Sequence, residues 1–361
     1  MTKSIDQLIG LLNKALGIPW KGTIDYPEGQ DDWVKLLELA TEQRMLPLVV
    51  SQFDCIPEEF RPKGKPIVPS VIFAEQLVEK SKVRVDLMRR LALMFQERGL
   101  DVMFLKGWSL AVRYPDPELR VFSDIDYYLF GLQKEGEDVL AAEGITVSPY
   151  YHHHTQVTWK GVLLESHYDF LDRENHACNR ILDDALKSLA DSEGHSTRMD
   201  LGDSAIENAY RMTPTMEAIF LMRHMSAHFM AAGMELRQLY DWVLLLQRDG
   251  DKVDWGQVKA LYEQSGMMSF ARIVSWLVRE KLAVSLPAYL PEMGGKTAER
   301  VWDDLISQTG KNRFAKGSFR YYVREAWIFL HNRWKHRIVY PKESYWGLML
   351  NYLRLKIKLG R

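Results

Sequence analysis

The spacing of hydrophobic positions changes twice along the chain, from helical to strand-like and back again. Between Ile5 and Leu16, apolar residues recur every three or four positions, which predicts an amphipathic helix. Three prolines and a glycine in residues 60–69 (FRPKGKPIVP) predict a linker. A long helix is then expected from Ser70, as its N-cap, to about Arg98, with a glycine as its stop.

The middle of the chain has the pattern of short strands. DVMFLKG (101–107) predicts a strand that ends in a Lys-Gly turn, and FSDIDYYLF (122–130) predicts a second strand. A short helix is expected over 131–143. Strand-rich segments follow, with a hairpin that turns at Lys160-Gly161. Strands that alternate with short helices indicate a small α/β or α+β unit.

From about residue 174 the spacing is again helical, apart from one hairpin expected around 197–212. Thr213-Pro214 combines an N-cap residue with proline at the first helical position, so a helix is predicted from there to about Ala232. The whole pattern predicts an α+β protein in three parts. These are a helical N-terminal segment (1–69), a small mixed-sheet core (70–175) and a larger helical C-terminal domain (176–361).

Composition is typical of a globular protein without disulfides. Of 361 residues, 47% are apolar and 26% are charged, which are ordinary values. Cys55 and Cys178 are the only cysteines, which argues against a disulfide framework. No apolar run approaches the roughly 18 residues of a transmembrane helix, and the first residues do not have the pattern of a signal peptide. We therefore expect a cytoplasmic protein with no transmembrane segment.

The net charge of −1 conceals an uneven distribution. Residues 311–361 contain six Lys and seven Arg against two Glu, a net charge of +11, with aromatic residues interleaved. Such a segment could contact phosphate, nucleic acid or acidic lipid. The aromatic residues recur at helical spacing, however, which favours packing against the rest of the chain. The same alternatives apply to its last stretch, 346–361, where a docked helix is favoured over a membrane or RNA contact.

Two carboxylates share one face of the second predicted strand. Because strand side chains alternate between faces, Asp124 and Asp126 point the same way, about 7 Å apart along the chain. Like charges at this distance repel each other unless a positive charge lies between them. Such a pair can bridge two Mg²⁺ ions roughly 3.5–4 Å apart. The pair therefore predicts a metal site, with a decayed site or simple turn acids as the alternative.

Neighbouring residues have the chemistry that nucleotidyl transfer requires. Gly107 would let the backbone approach a triphosphate closely, and loop N–H groups, the Ser109 hydroxyl and nearby cations can bind phosphates. A third carboxylate on a neighbouring strand can complete a metal shell and accept a proton. Glu165 is the candidate for this third position, and Asp169 is its rival. No P-loop, dinucleotide-binding fingerprint or nucleophilic triad occurs in the sequence.

The run FLKGWSLAVRYPDPELRVFSDIDYYLF (104–130) resembles the core of the DNA polymerase β-like nucleotidyltransferase superfamily. It resembles in particular a bacterial family of uncharacterised nucleotidyltransferases. The acidic-x-His strand of that family is matched by Glu165-Ser166-His167, and its helical part with spaced histidines by RHMSAHFMAAGMELRQLYDW (223–242). The resemblance covers about residues 30–340 and implies a polymerase-β-like core.

The resemblance also implies roles for individual residues. Asp124 and Asp126 would hold two Mg²⁺ ions, and Glu165 would bind the catalytic ion and act as the base. An NTP is the implied substrate, with ATP as the first expectation. Its triphosphate would face Lys106, Gly107, Ser109 and Arg120. Two departures from the pattern matter: Trp108 separates the usual glycine-serine pair, and Arg120 could instead pair with an acid beside the site.

The histidines allow several roles. Residues 152–154 (HHH) are not expected to chelate zinc together, because adjacent strand residues point to opposite faces and no cysteine helps. His224 and His228 have the i, i+4 spacing of zinc ligands without a glutamate between them. Helix packing is favoured for this pair, and the lining of an acceptor cleft is the next alternative. His167 could orient phosphate or base, or pack across strands.

The function expected from the sequence is metal-dependent transfer of a nucleoside monophosphate from an NTP to a hydroxyl or phosphate acceptor, with release of pyrophosphate. The acceptor class stays open among sugars, small antibiotics, proteins and RNA ends. A nucleotide-binding or regulatory protein that kept the fold without turnover is the alternative. An RNA-directed enzyme that uses the basic C-terminal segment is a third option.

Overall fold

A computed structural model describes residues 2–148, 153–174, 176–231, 233–307 and 330–347, together with positions 320, 323, 324 and 327. The strands are β1 (Val102–Phe104), β2 (Asp124–Tyr128), β3 (His154–Trp159), β4 (Val162–His167) and β5 (Ala209–Arg211). The helices within these ranges are α1 (Thr2–Ala15), α2 (Gln30–Glu42), α3 (Leu46–Val50), α4 (Val68–Gln96), α5 (Trp108–Ala111), α6 (Gln133–Ala142), α7 (Ala177–Glu193), α8 (Pro214–Met230), α9 (Leu236–Asp249), α10 (Trp255–Ser265), α11 (Met268–Trp276), α12 (Lys296–Ser307) and α13 (Arg333–Val339). The fold is α+β and mostly helical, in agreement with the predicted class.

One mixed sheet of five strands forms the centre, in the order β3-β4-β2-β1-β5. Strands β2 and β4 are parallel, as are β1 and β5, whereas β1–β2 and β3–β4 are antiparallel. The predicted hairpin turn is confirmed: Lys160 and Gly161 both have positive φ, at 50° and 78°, as a tight two-residue hairpin requires. The hairpin expected around 197–212 is present in a short form: Arg198 and Tyr210 form an antiparallel bridge, flanked by hydrogen bonds from the Met199 N–H to the Ala209 carbonyl at 2.9 Å and from the Arg211 N–H to the Thr197 carbonyl at 3.0 Å. Strand β5 also pairs in parallel with β1.

Helix boundaries follow the capping chemistry of the sequence, with one correction. The long helix α4 begins at Val68 rather than after an N-cap at Ser70, because Pro69 occupies its first turn. The start of α8 is as predicted, since the Thr213 hydroxyl accepts a hydrogen bond from the N–H of Met216 at 3.4 Å. Pro214 is the first residue of this helix.

The alternation of side chains along β2 divides its residues between two faces of the sheet. Ile125 and Tyr127 pack on the face covered by α4, where Tyr127 contacts Phe95. Tyr128 belongs to the core on the other face, together with residues of α7 and α8. Asp126 shares the face of Tyr128. The carboxylate therefore points toward the helical region that follows the sheet in sequence.

Within the described residues, no helix is both long and apolar enough to cross a membrane. Most of the basic segment 311–361, including nearly all of 346–361, lies outside the described residues. Lys335 is a basic residue of this segment that the structure describes, and it is buried. Its ammonium contacts Asp304 Oδ2 at 2.6 Å and the Phe229 carbonyl at 3.1 Å. At this position the basic residue packs against the rest of the chain.

Candidate active site

The chain leaves β1 through a turn that requires glycine. Gly107 has φ +67° and ψ −118°, and a Cβ at this position would lie 2.8 Å from Cδ2 of Phe122. Trp108 then begins the short helix α5. Because this tryptophan is inserted after Gly107, Ser109 falls on the buried side of the helix. Ser109 is fully buried and its hydroxyl donates to the Lys106 carbonyl at 3.1 Å. The Ser109 hydroxyl thus makes a structural bond within the turn, and its predicted phosphate contact stays a prediction.

Lys106 supplies the positive charge that the two aspartates require. Its Nζ lies 2.8 Å from Asp126 Oδ1. Burial would lower the pKa of Lys106, but the charges of Asp126 and Asp124 raise it overall. Burial would likewise raise the pKa of Asp126, yet the Lys106 charge and the His167 contact hold it below its ordinary value. The ammonium predicted to face the triphosphate thus belongs to the carboxylate cluster.

Strands β2 and β4 bring Asp126 and Glu165 together. The strands are parallel and these two residues are direct partners, so both side chains leave the same face. Asp126, Glu165 and His167 each offer one metal-ligand atom, and these three atoms lie within 4.8 Å of one another. Oδ2 of Asp126 is buried without a hydrogen-bond partner among the described residues. Burial and the Asp126 charge raise the pKa of Glu165. These oxygens have the chemistry that a divalent cation prefers.

The two other candidate acids are placed differently. Asp124 lines the adjacent cleft and accepts a hydrogen bond from the Ser123 hydroxyl at 3.2 Å. Asp169 forms an ion pair with Lys187. In the described part of the chain, neither acid belongs to a cluster of three close metal-ligand groups. The geometry therefore favours Glu165 over its rival Asp169 as the partner of Asp126.

A cleft of about 340 Å³ adjoins this cluster and is lined by residues of α4, α8 and α9. Gly107 and Asp124 line it from the sheet and its turn, and His224 and His228 line it from α8. Six cationic side chains line the cleft against three carboxylates, which favours an anionic ligand. The cations are Arg44, Lys80, Arg84, Lys106, Arg120 and Arg237. A second cavity of about 580 Å³, beside Tyr289, shares no lining residue with this cleft.

Arg120 makes three hydrogen bonds inside the protein. Its Nε and Nη2 donate to the two carboxylate oxygens of Asp241 at 2.7 and 2.8 Å, and Nη1 donates to the Gly107 carbonyl at 2.8 Å. The Tyr114 hydroxyl donates to the same carboxylate at 2.8 Å. The predicted triphosphate contact of Arg120 stays a prediction, and in this structure the guanidinium ties the glycine turn to α9. This outcome is the alternative of an acid partner that the sequence left open.

Arg237, four residues before Asp241 on α9, is one of the cleft cations to which sequence reasoning assigned no phosphate contact. Its closest carboxylate oxygens are 3.7 Å away on Glu235 and 4.0 Å away on Asp241. Its Nε is buried without a hydrogen-bond partner among the described residues. Burial and the Arg120 charge lower its pKa. An incompletely paired guanidinium at a cleft wall is suited to bind phosphate. The only signal in the sequence was its place in MELRQLYDW.

His224 and His228 lie side by side on the cleft wall, with ring centroids 4.5 Å apart. Burial and the charge of Lys106 lower the pKa of both, that of His228 to about 4. Both imidazoles are therefore neutral near neutral pH, able to donate or accept a hydrogen bond. Their position agrees with the cleft alternative, and contact with an acceptor stays a prediction.

The histidines of β3 correct the argument from strand alternation. His152 lies outside the described residues. His153 precedes the first residue of β3, so the alternation of faces does not apply to it, and His154 is paired with His167 of β4. One ring nitrogen from each of these three histidines lies within 4.8 Å of the others. A neighbouring strand thus completes an imidazole cluster that the run 152–154 could not form alone.

The chain belongs to the family of uncharacterised nucleotidyltransferases, whose family model matches residues 29–283. The match contains the whole sheet and every candidate residue of the cluster and the cleft. No curated protein and no solved structure matches the chain. The predicted family is thereby confirmed, and the family description supports a nucleotidyl-transfer activity. Membership of the polymerase β-like superfamily and a bacterial origin stay predictions.

Proposed function

We propose that this protein transfers a nucleoside monophosphate from an NTP to a hydroxyl acceptor, in a reaction that requires a divalent metal. The observation that carries the proposal is the direct pairing of Asp126 with Glu165 beside the Gly107 turn. Carboxylates from two strands lie close together there, next to a cleft lined by six cationic side chains and three carboxylates. Family membership supports the reaction class.

The residues of the cluster fit a divalent cation such as Mg²⁺. Asp126 and Glu165 offer carboxylate oxygens, and the unpartnered Oδ2 of Asp126 is available for ligation. Asp124, which lines the cleft, would supply a further carboxylate ligand. A bound Mg²⁺ would neutralise phosphate charge and polarise the reacting phosphoryl group.

The cleft residues would bind and orient the triphosphate. Arg237 and Arg84 both line the cleft, and Lys80 lies one helical turn before Arg84 on α4. Gly107 allows the backbone to approach the phosphates, because no Cβ blocks the turn. Lys106 stays protonated through its contact with Asp126 and adds a fixed positive charge near the same position. Such preorganised charges stabilise the transition state of phosphoryl transfer.

Glu165 would act as the general base. Its raised pKa makes it a better proton acceptor than an ordinary carboxylate. The acceptor oxygen forms a bond to the α-phosphorus while the bond from this phosphorus to the bridging oxygen of the β-phosphate breaks. Pyrophosphate leaves with that oxygen, and the proton of the acceptor hydroxyl passes to Glu165. His224 and His228 on the facing helix would contact the acceptor.

The proposal is tested by transfer of label from an NTP labelled at its α-phosphate to a panel of sugars, aminoglycosides, proteins and RNA ends, with pyrophosphate measured in parallel. The wild-type chain should label at least one acceptor class and release pyrophosphate only with a divalent metal. Glu165→Gln and Asp126→Asn should abolish both signals and keep the circular dichroism spectrum. Full activity in either variant would refute the assigned mechanism.

A second candidate is nucleotide binding without turnover. One observation favours it: the Lys106 ammonium already neutralises Asp126 at 2.8 Å, so the fold does not depend on a metal for charge balance. Under this alternative, NTP should stabilise the chain by about 2.7 kcal/mol at 100 times its Kd, while no acceptor is labelled and no pyrophosphate appears.

A further inference from the structure

Three imidazoles lie beside the carboxylate pair, on the same side of the sheet. The ring centroids of His153, His154 and His167 are separated by 4.6, 5.2 and 5.4 Å, and one nitrogen of each ring lies within 4.8 Å of the others. His154 is fixed by its pairing with His167 across β3 and β4. The cluster shares His167 with the Asp126–Glu165 pair.

Both ring nitrogens of His167 face oxygens that only accept hydrogen bonds. Nδ1 lies 3.2 Å from the Asp169 carbonyl, and Nε2 lies 3.0 Å from Asp126 Oδ1. A neutral imidazole has one N–H, so it can donate to only one of these two oxygens. An ion bound at Nε2 would leave the Nδ1–H to donate to the Asp169 carbonyl, the arrangement that metal-binding histidines have.

The other two imidazoles are also withdrawn from water. His154 is 8% exposed, and its Nε2 lies 3.5 Å from Glu165 Oε1. Nδ1 of His153 is buried without a hydrogen-bond partner among the described residues. A buried polar nitrogen of this kind costs free energy unless something binds it. A cation shared by the three rings would satisfy both His153 and His167.

We propose that His153, His154 and His167 form a second cation site, which selects a borderline transition metal such as Zn²⁺ over Mg²⁺. Asp126 or Glu165 would supply an oxygen ligand at its edge. Imidazole nitrogens suit Zn²⁺ and its neighbours, whereas Mg²⁺ prefers oxygen ligands. The ion ties β3 to β4 and fixes the orientation of Glu165. This site does not rest on the proposed function, because it requires neither nucleotide nor turnover.

Cobalt provides the probe, because Co²⁺ replaces Zn²⁺ in imidazole sites and gives visible absorption bands that Mg²⁺ lacks. The full chain without an affinity tag is treated with chelator and titrated with Co²⁺ in the absence of nucleotide. We expect a saturable band at one equivalent that Zn²⁺ removes and that excess Mg²⁺ leaves in place. No saturable band in the wild-type chain, or displacement of Co²⁺ by Mg²⁺ at comparable concentration, would overturn the proposal.

Matched variants locate the site. His153→Gln and His154→Gln should each weaken Co²⁺ binding at least roughly tenfold, with circular dichroism in chelator as the check on folding. His195→Gln is the control, since His195 pairs with Asp101 outside the cluster. Unchanged binding in both test variants would reject the site. Asp124→Asn should lose nucleotidyl transfer but keep Co²⁺ binding, which separates failure of this site from failure of the proposed function.

Discussion

Arg120 and Asp241 form a buried bidentate ion pair, with N–O distances of 2.7 and 2.8 Å, that joins the segment before β2 to helix α9. The third donor group of the same guanidinium binds the Gly107 carbonyl. The pair therefore holds the glycine turn at a fixed position relative to the helix that carries Arg237. Both residues line the cleft, and we assign them a positioning role because their pairing fixes the turn relative to α9.

We expect Arg120→Met and Asp241→Asn each to destabilise the fold by roughly 3–5 kcal/mol, because each leaves a buried charge or polar group without its partner. The double variant should lose less than the sum of the two, as groups in direct contact couple. Urea denaturation measures the free energy of unfolding of the wild type, the two single variants and the double variant. Additive losses would show that the pair does not act as a unit.

Arg120→Lys tests the positioning role beyond stability. Lysine keeps the charge but cannot hold both Asp241 oxygens and the Gly107 carbonyl at once. Nucleotide affinity should fall while most of the fold stability remains. An unchanged affinity would mean that the turn keeps its position without this tie.

Gly107→Ala should disrupt the turn and nucleotide binding together. The positive φ costs roughly 1–3 kcal/mol for a residue with a side chain, and the new Cβ would meet Phe122 at 2.8 Å. Gly99→Ala is the matched control, because Gly99 also has positive φ, +68°, but an added Cβ there meets nothing within 4 Å. The control should lose only about 1–2 kcal/mol and keep nucleotide affinity. Equal nucleotide affinity in the two variants would argue against a role for the turn.

Arg237→Met should weaken NTP binding, because it removes the incompletely paired guanidinium at the cleft wall. Arg248→Met, on the exposed side of the same helix, is the matched control. Calorimetric titration with a non-hydrolysable NTP should show a loss of roughly 1.5–3 kcal/mol of binding free energy for the test variant only, the range for a hydrogen bond to a charged group. A similar affinity in both variants would place the phosphates elsewhere.

The lowered pKa of His228 predicts a pH dependence of stability. In the unfolded chain this histidine titrates near 6.5, and in the folded protein near 4. Between these values only the unfolded state takes up the proton, so the free energy of unfolding falls as pH falls through this window. His228→Gln should reduce that fall by on the order of 2 kcal/mol, since each pKa unit is worth about 1.4 kcal/mol and the ring is half-buried.

The measurement is urea denaturation of wild-type chain, His228→Gln and the exposed control His195→Gln at about pH 7 and about pH 4.5. His195→Gln should follow the wild type. A decline in His228→Gln as steep as in the wild type would show that the folded protein also protonates this imidazole.

The sequence predicted the parts of the site that depend on local pattern. Alternation along FSDIDYYLF placed Asp124 and Asp126 on one face, and the Lys160-Gly161 turn fixed the hairpin that contains Glu165. Parallel pairing of β2 with β4 then sets Glu165 opposite Asp126, a long-range register that no local rule contains. The family resemblance was the only indication of it.

Sequence reasoning was weakest where contacts between distant segments decide the role of a side chain. The partner of Arg120 lies 121 residues away on α9, so its role as a tie could not be read from residues 104–130. Arg237 comes from the same helix, far from the strand motif, and was assigned no phosphate contact. Strand alternation was applied to the histidine run alone, whereas the third imidazole comes from the neighbouring strand.

We propose above all that Asp126 and Glu165 together bind a divalent cation that strengthens nucleotide binding. The most direct measurement is calorimetric titration with a non-hydrolysable NTP, with and without Mg²⁺, for the wild type, Glu165→Gln and the matched control Asp169→Asn. We predict that Mg²⁺ strengthens binding in the wild type and in Asp169→Asn and has no effect in Glu165→Gln. An equal gain from Mg²⁺ in Glu165→Gln would contradict the account.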